Sequence, residues 1–145
     1  WESAAAMAAS LAEELADKVV ISMANALIKI GDELQPLVPA RGSVTAEVQA
    51  SAPRALVAAA FQHLPSKHLG DLTYPIESDV LVCSDHPQAT KAVADLVRQV
   101  PGLRPIDAGT LAAAAPVEAF TAVLASVNIR YRARSAVQLT GLDSS

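Results

Sequence analysis

The stretch Ser78-Asp79-Val80-Leu81-Val82-Cys83-Ser84-Asp85 sets a continuous apolar run between polar ends. Such a run, unbroken rather than alternating, reads as a strand buried on both faces of a parallel sheet. The segment after it decides the fold. Ser84 or Asp85 is placed to cap a helix, Pro87 suits its first turn, and Ala89, Val93, Leu96, Val97 and Val100 form an apolar stripe. Pro101-Gly102 stops that helix, and Leu103-Arg104-Pro105-Ile106-Asp107 returns as a short extended piece whose proline suits a sheet edge. Strand, helix and strand in this order predict an α/β fold with a parallel sheet and flanking helices.

The same pattern extends outward. Ala4 to Ala16 is rich in helix formers, with Leu11 and Leu15 on one face. Lys18-Val19-Val20-Ile21-Ser22 comes next as a second buried strand. Asn25, Gly31, Pro36, Pro39 and Gly42 mark a turn-rich crossing without regular elements. Ser43 caps a short helix through Ala50, ahead of Pro53, and Ala55 to Phe61 is a further strand. A loop runs from Ser66 to Ser78. The last long element spans about Thr110 to Arg130 and is apolar on most sides, which predicts burial or packing in an oligomer. The tail from Asp143 to Ser145 is expected to fray.

Composition narrows the function classes. Of the 145 residues 52% are hydrophobic, enough for a core, but only 3% are aromatic, which disfavours stacking platforms for bases. A net charge of −4 disfavours nucleic acid as a partner. The single cysteine, Cys83, allows no internal disulfide and reads as a plain buried thiol. A cytoplasmic setting is compatible with it. No run is read as a membrane span, because Leu111 to Val127 is interrupted by Pro116 and Glu118.

Signatures of catalysis are few. No G-x-G-x-x-G, phosphate-loop, H-E-x-x-H or C-x-x-C motif occurs, and His63, His68 and His86 lack metal-ligand spacing. Three places remain. Gln62-His63 leaves an apolar strand where open α/β sheets bind ligands, or else satisfies loop backbone groups. Asn25 leaves the earlier strand in the same way, as a carboxamide partner or a turn residue. Arg130-Tyr131-Arg132-Ala133-Arg134 complements a helix dipole, or holds an acidic ligand.

Several segments together resemble the NADPH-dependent coenzyme F420 reductases. They are Lys18 to Ser22, Ala60-Phe61-Gln62-His63-Leu64-Pro65, Ser78 to Asp85, Val100 to Gly109, Val117-Glu118-Ala119-Phe120-Thr121, and Asn128 to Tyr131. Gly102-Leu103-Arg104-Pro105-Ile106-Asp107-Ala108-Gly109 is the strongest piece. Their order covers nearly the whole chain, from Trp1 to Leu142.

The resemblance implies a partial Rossmann-like parallel sheet with a mainly helical C-terminal part. Residues 1–109 would be the remainder of the NADP-binding domain and the cofactor cleft. Residues 110–145 would give the deazaflavin side and homodimer contacts. It further implies that the Gly-rich turn, within a unit on the order of 60–70 residues, belongs ahead of Trp1. The sheet edge facing that unit would be uncovered, and the chain alone would not turn over. Trp1, Ser3 and Asn25 match positions near NADP; His63, Pro65 and Ser66 fall beside the nicotinamide; Ser135-Ala136-Val137 resembles the region touching the deazaflavin. The implied activity is hydride transfer between NADPH and coenzyme F420, with no catalytic side chain and no metal. Alternatives are a reductase of the pyrroline carboxylate or ferric reductase type, and a non-catalytic dimerising module.

Overall fold

The computed structural model describes residues 1–143. Its centre is a four-stranded sheet in the order β1 (Val19–Ser22), β4 (Leu56–Ala59), β5 (Ser78–Ser84) and β6 (Leu103–Gly109). The predicted strands are all present, and β6 with its Pro105 takes the edge position. One expectation needs correcting: β1–β4 and β5–β6 are parallel, but β4 and β5 run antiparallel. The physical reason lies in the connections. Parallel neighbours need a long crossover, usually a helix. α2 (Val44–Ser51) and α4 (Pro87–Arg98) supply it for the two parallel pairs, whereas β4 reaches β5 through only the four-residue α3 (Ser66–Leu69). Among the described residues no strand lies beyond β1.

Helices cover both faces. Ala58, Val80 and Val82 pack with Ala89, Val93 and Val97 of α4 and with Leu103. On the opposite face Val57 and Ala55 pack with Val44, Val48 and Ala52 of α2 and with Ala8 of α1 (Ala4–Ser10). Each fully buried valine contributes about 1.5–3 kcal/mol by leaving water. Cys83 is fully buried beside Ala59 and Ala114, and that burial pushes its thiol up to about 11.

Several local expectations change. α1 stops at Ser10 rather than Ala16, and residues 11–17 form turns closed by Asp17 at φ +63°. The turn-rich crossing contains a hairpin, β2 (Leu27–Ile30) with β3 (Glu33–Pro36), turning at Gly31-Asp32. Ser43 caps α2 as expected, accepting from the Ala46 N–H at 3.0 Å. Neither Ser84 nor Asp85 caps α4; His86 holds that position without a side-chain bond. The Ser84 hydroxyl donates to the Val57 carbonyl, and Asp85 accepts from the Leu111 N–H.

The C-terminal helix occupies nearly the expected span. A 3₁₀ turn at Leu111–Ala113 runs into α5 (Ala114–Tyr131). Pro116 falls in the first turn, where a missing N–H is harmless, so the helix continues and is long and apolar enough, by length and composition only, to cross a membrane. Its inner face is tied into the α/β body instead. Glu118 is buried and accepts from Val44 N–H (2.8 Å), Thr45 Oγ1 (2.9 Å) and Thr45 N–H (3.3 Å) at the start of α2. Burial raises its pKa, while these donors oppose the rise. Ser126 Oγ bonds the backbone N–H of Leu34 in β3.

Beyond α5 the chain folds back along β5. Asp79 N–H donates to the Val137 carbonyl (2.7 Å), and Leu139 N–H donates to Asp79 Oδ2 (2.6 Å). Arg104 grips the Asp79 carboxylate through Nε and Nη2, both at 2.7 Å, and Nη2 also reaches the Leu139 carbonyl. The expected fraying concerns residues that include 144–145, outside those described.

Candidate functional site

Because β4 and β5 pair only at their adjoining ends, the rest of that flank of β5 must find other partners. The tail supplies one at Asp79. The next backbone donor, Leu81 N–H, is taken by Nε2 of His63 at 3.2 Å. His63 therefore substitutes for a missing strand, and the reading in which it satisfies a backbone group holds for one of its nitrogens. A ring that accepts at Nε2 is neutral and carries its proton on Nδ1. Burial, the largest influence, lowers its pKa, and the charge of Asp79 acts weakly the other way.

Phe61 makes this placement possible. It sits at φ +67°, in the left-handed region that bulky residues rarely enter. The turn closed by Leu64 N–H to the Phe61 carbonyl swings Gln62 and His63 back over the sheet end. Strain of this kind, about 1–3 kcal/mol, persists where the surroundings enforce it, and it clusters at functional sites.

The result is a cleft of about 380 Å³ between the ends of β1 and β4 and the inner face of α5. Asn25, Gln62, His63, Pro65 and Ser66 lie on one side, and Thr121, Leu124 and Asn128 on the other. Asn25 Nδ2 donates to the Gln62 carbonyl at 2.8 Å, fixing the two strand exits against each other. Four of the predicted residues thus share one cleft: Asn25, His63, Pro65 and Ser66. Ser135 reaches it indirectly, through its N–H and hydroxyl bonds to Asn128 Oδ1 at 2.7 and 2.6 Å. Ala136 and Val137 do not line it, nor do Trp1 and Ser3. Trp1 borders a separate groove with Pro39, Val44 and Glu47. Of the arginines, Arg130 lies in the last turn of α5, where it complements the dipole, and none of the three lines the cleft. In the sequence Gln62 reads with His63 as either a ligand contact or a partner of loop backbone, and Asn128 does not read as a ligand contact. Asn128 reads as part of a helix and of a resembling segment, although its spacing from Thr121 and Leu124 places all three on one face.

Removing His63 is expected to act twice. His63→Ala leaves the half-buried Leu81 N–H without its partner, at about 1 kcal/mol, and in a protein that turns over a ligand here it removes a positioning contact, at roughly 10²-fold in rate. Thermal unfolding and turnover per folded molecule separate the two. An unchanged melting temperature would contradict the structural half.

No protein-family model matches the chain. Two curated proteins called F420-dependent NADP reductase are similar to it. That of Methanocaldococcus jannaschii is 38% identical over 136 residues, 92% of this chain and 61% of the relative. That of Methanothermobacter marburgensis is 38% identical over 87 residues, 59% of this chain and 39% of the relative. Among solved structures, one from Arthrobacter sp. FB24, itself only provisionally described as an F420-dependent NADP reductase, superposes with a TM-score of 0.79. At 23% identity over 92% of this chain and 62% of that one, it shows the fold alone. A hypothetical protein from Sinorhizobium meliloti superposes with a TM-score of 0.61 at 27% identity, over 80% of this chain and 58% of its own. Over 92% of its length, then, this chain is similar to a curated F420-dependent NADP reductase, and it spans 61% of that relative.

Proposed function

We propose that this chain forms the ring-holding part of an oxidoreductase that moves a hydride between NADPH and coenzyme F420. The observation that carries the reading is the cleft itself. It sits at the strand ends, where α/β sheets bind nucleotides, and none of its lining residues is Lys, Arg, Asp or Glu. Hydride transfer between two rings needs contact and orientation rather than a charged acid–base pair. When bound, the dihydronicotinamide supplies the hydride and the deazaflavin ring accepts it. The chain's own part is to hold the rings and exclude water. Asn25, His63, Pro65 and Ser66 border the nicotinamide side, and Leu124 and Ala125 of α5 close the opposite wall. The buried polar atoms of Asn25 and His63 that lack partners fit an amide-bearing ring. The relatives' names favour this reading over the pyrroline carboxylate and ferric reductase types.

Trp1 and Ser3 belong in this proposal to the NADP side, and Ser135-Ala136-Val137 to the deazaflavin side. The tail carrying the latter is held by Asn128, Asp79 and Arg104. The setting is cytoplasmic, with neither membrane nor nucleic acid as partner. Phe120, Val123, Val127 and Tyr131 are exposed along the outer face of α5, and we assign that face to a homodimer, where it leaves water. Light scattering of the eluted protein is expected to give twice the chain mass. A monomer at high concentration would count against it.

The activity is tested by following the F420 absorbance with NADPH and the intact protein carrying residues 1–145. NADPH-dependent bleaching is expected. Bleaching that needs no NADPH, or none at all, would refute the assignment. Residues 1–145 alone are expected to give no turnover, because they contain no Gly-rich turn to anchor a pyrophosphate.

A further inference from the structure

The cleft's polar groups form a set with a definite chemical complement. Gln62 is only 6% exposed, and neither its Nε2 nor its Oε1 has a hydrogen-bond partner in the chain. The same holds for Asn25 Oδ1 and for Nδ1 of His63, a residue 5% exposed. Buried polar atoms are nearly always paired, so several orphans in one place ask for a ligand. Each group is uncharged. Asn25 Oδ1 accepts, Nδ1 of His63 donates, and Gln62 does both. No cation lines the cleft to meet an anion. The strained Phe61, at φ +67°, directly precedes Gln62 and holds it there.

We propose that this site reads an uncharged amide on a flat heterocycle, an N–H beside a C=O, and that Gln62 is the residue that discriminates it from the corresponding carboxylate. The inference rests on the reductase reading only for which ring supplies the amide. Two sources share the chemistry: the carboxamide of a nicotinamide and the imide edge of a deazaflavin's pyrimidinedione. A carboxylate in the same place would meet the two acceptor oxygens of Asn25 and Gln62 without a compensating cation, and sites built around hydrogen bonds reject a mismatched group strongly.

The test is a titration of the 145-residue chain, monitored by NMR at the side-chain amides of Gln62 and Asn25 and the ring of His63. The probes are nicotinamide, nicotinate and uracil, the last standing for the imide edge. Saturable shifts at these groups are expected for nicotinamide or uracil, and the tighter of the two identifies the ring. Nicotinate should bind roughly tenfold or more weakly, the weight of a mismatched hydrogen-bonding group. Gln62→Glu should lose a similar factor for the amide probes with the rest of the spectrum retained. Gln62→Met, close in volume, serves the same purpose where the Glu variant does not fold. Nicotinate binding as tightly as nicotinamide, no shift at these groups with either amide probe, or undiminished affinity in the folded variants would each overturn the proposal. The titration needs no turnover, so amide binding here with no F420 reduction by the intact protein would sink the reductase reading and leave this inference standing. Reduction without amide selectivity would do the reverse.

Discussion

Gly102→Ala is expected to destabilise the chain by about 3 kcal/mol or more, a large effect for a single methyl group. Gly102 has φ +85°, and a Cβ built on it would lie 1.9 Å from the carbonyl oxygen of Ile76 and 3.0 Å from its carbonyl carbon. Both obstacles are backbone, so no side-chain rotation relieves them. The segment cannot retreat easily either, since Ser78 N–H donates to the Gly102 carbonyl at 3.1 Å and sets the register of β5 on β6. Alanine at a positive φ adds its own conformational penalty. Urea unfolding monitored by circular dichroism should show the midpoint falling sharply with little change in slope. A shift below about 0.5 kcal/mol, the range of ordinary surface substitutions, would contradict the geometry.

Asp79→Ala is the second large effect. The Asp79 side chain is 2% exposed, and its carboxylate is gripped by Arg104 and by the Leu139 N–H. Removing one partner of a buried ion pair typically costs about 3–5 kcal/mol. Arg104→Ala should cost a comparable amount, because it leaves the Asp79 carboxylate, 2% exposed, buried without its cation. The clamp also has a pH signature. Hydrogen bonding to Arg104, helped by the Leu139 N–H, holds the Asp79 pKa below its ordinary value. The unfolded chain then binds the proton more readily, so the stabilisation is complete above the ordinary carboxylate range and is lost as pH falls through the depressed folded value. Stability measured against pH should decline on the acid side in the parent and decline less in Asp79→Asn. An identical acid limb in both would contradict this role.

These two residues explain part of what the sequence made legible. The run Gly102 to Gly109 was the strongest single piece of the family resemblance, and its roles are architectural. Gly102 permits the close approach to Ile76, Arg104 clamps the tail, Pro105 sits in the edge strand, and Asp107 caps the Gly109 N–H at 2.9 Å. A motif that fixes one backbone path is easy to recognise because few residues satisfy it.

Strands and the amphipathic α4 were likewise readable, since Val80, Val82, Val93 and Val97 obey simple periodicities. The direction of β4 against β5 was not, because pairing sense depends on a connection that carries no helical signal in its residues. The hairpin of β2 and β3 had a signal in Gly31-Asp32 between apolar flanks, but its strands are short and largely exposed. The cap of α4 was misread because Ser84 and Asp85 commit their oxygens to Val57 and Leu111, contacts distant in sequence. Glu118 shows the same limit. As sequence it interrupts an apolar run, yet its carboxylate ties α5 to the start of α2. In the cleft, strand-end position singled out Asn25 and His63 but left a turn or backbone role open for each, and the resemblance gave them their expected place beside the cofactor. The pairing of His63 with Leu81 depended on a gap in the sheet that no local pattern announces.

In the proposed function the chain holds two rings in contact, with no side chain relaying protons between them. Deuterium transfer tests this most directly. The intact protein is given NADPH labelled at the transferable position of the dihydronicotinamide, in ordinary water, and the reduced F420 is analysed by mass spectrometry after a single turnover. Label arriving undiluted on the deazaflavin ring is the predicted result. Label washed out into solvent, or deuterium appearing on the ring from heavy water with unlabelled NADPH, would contradict it.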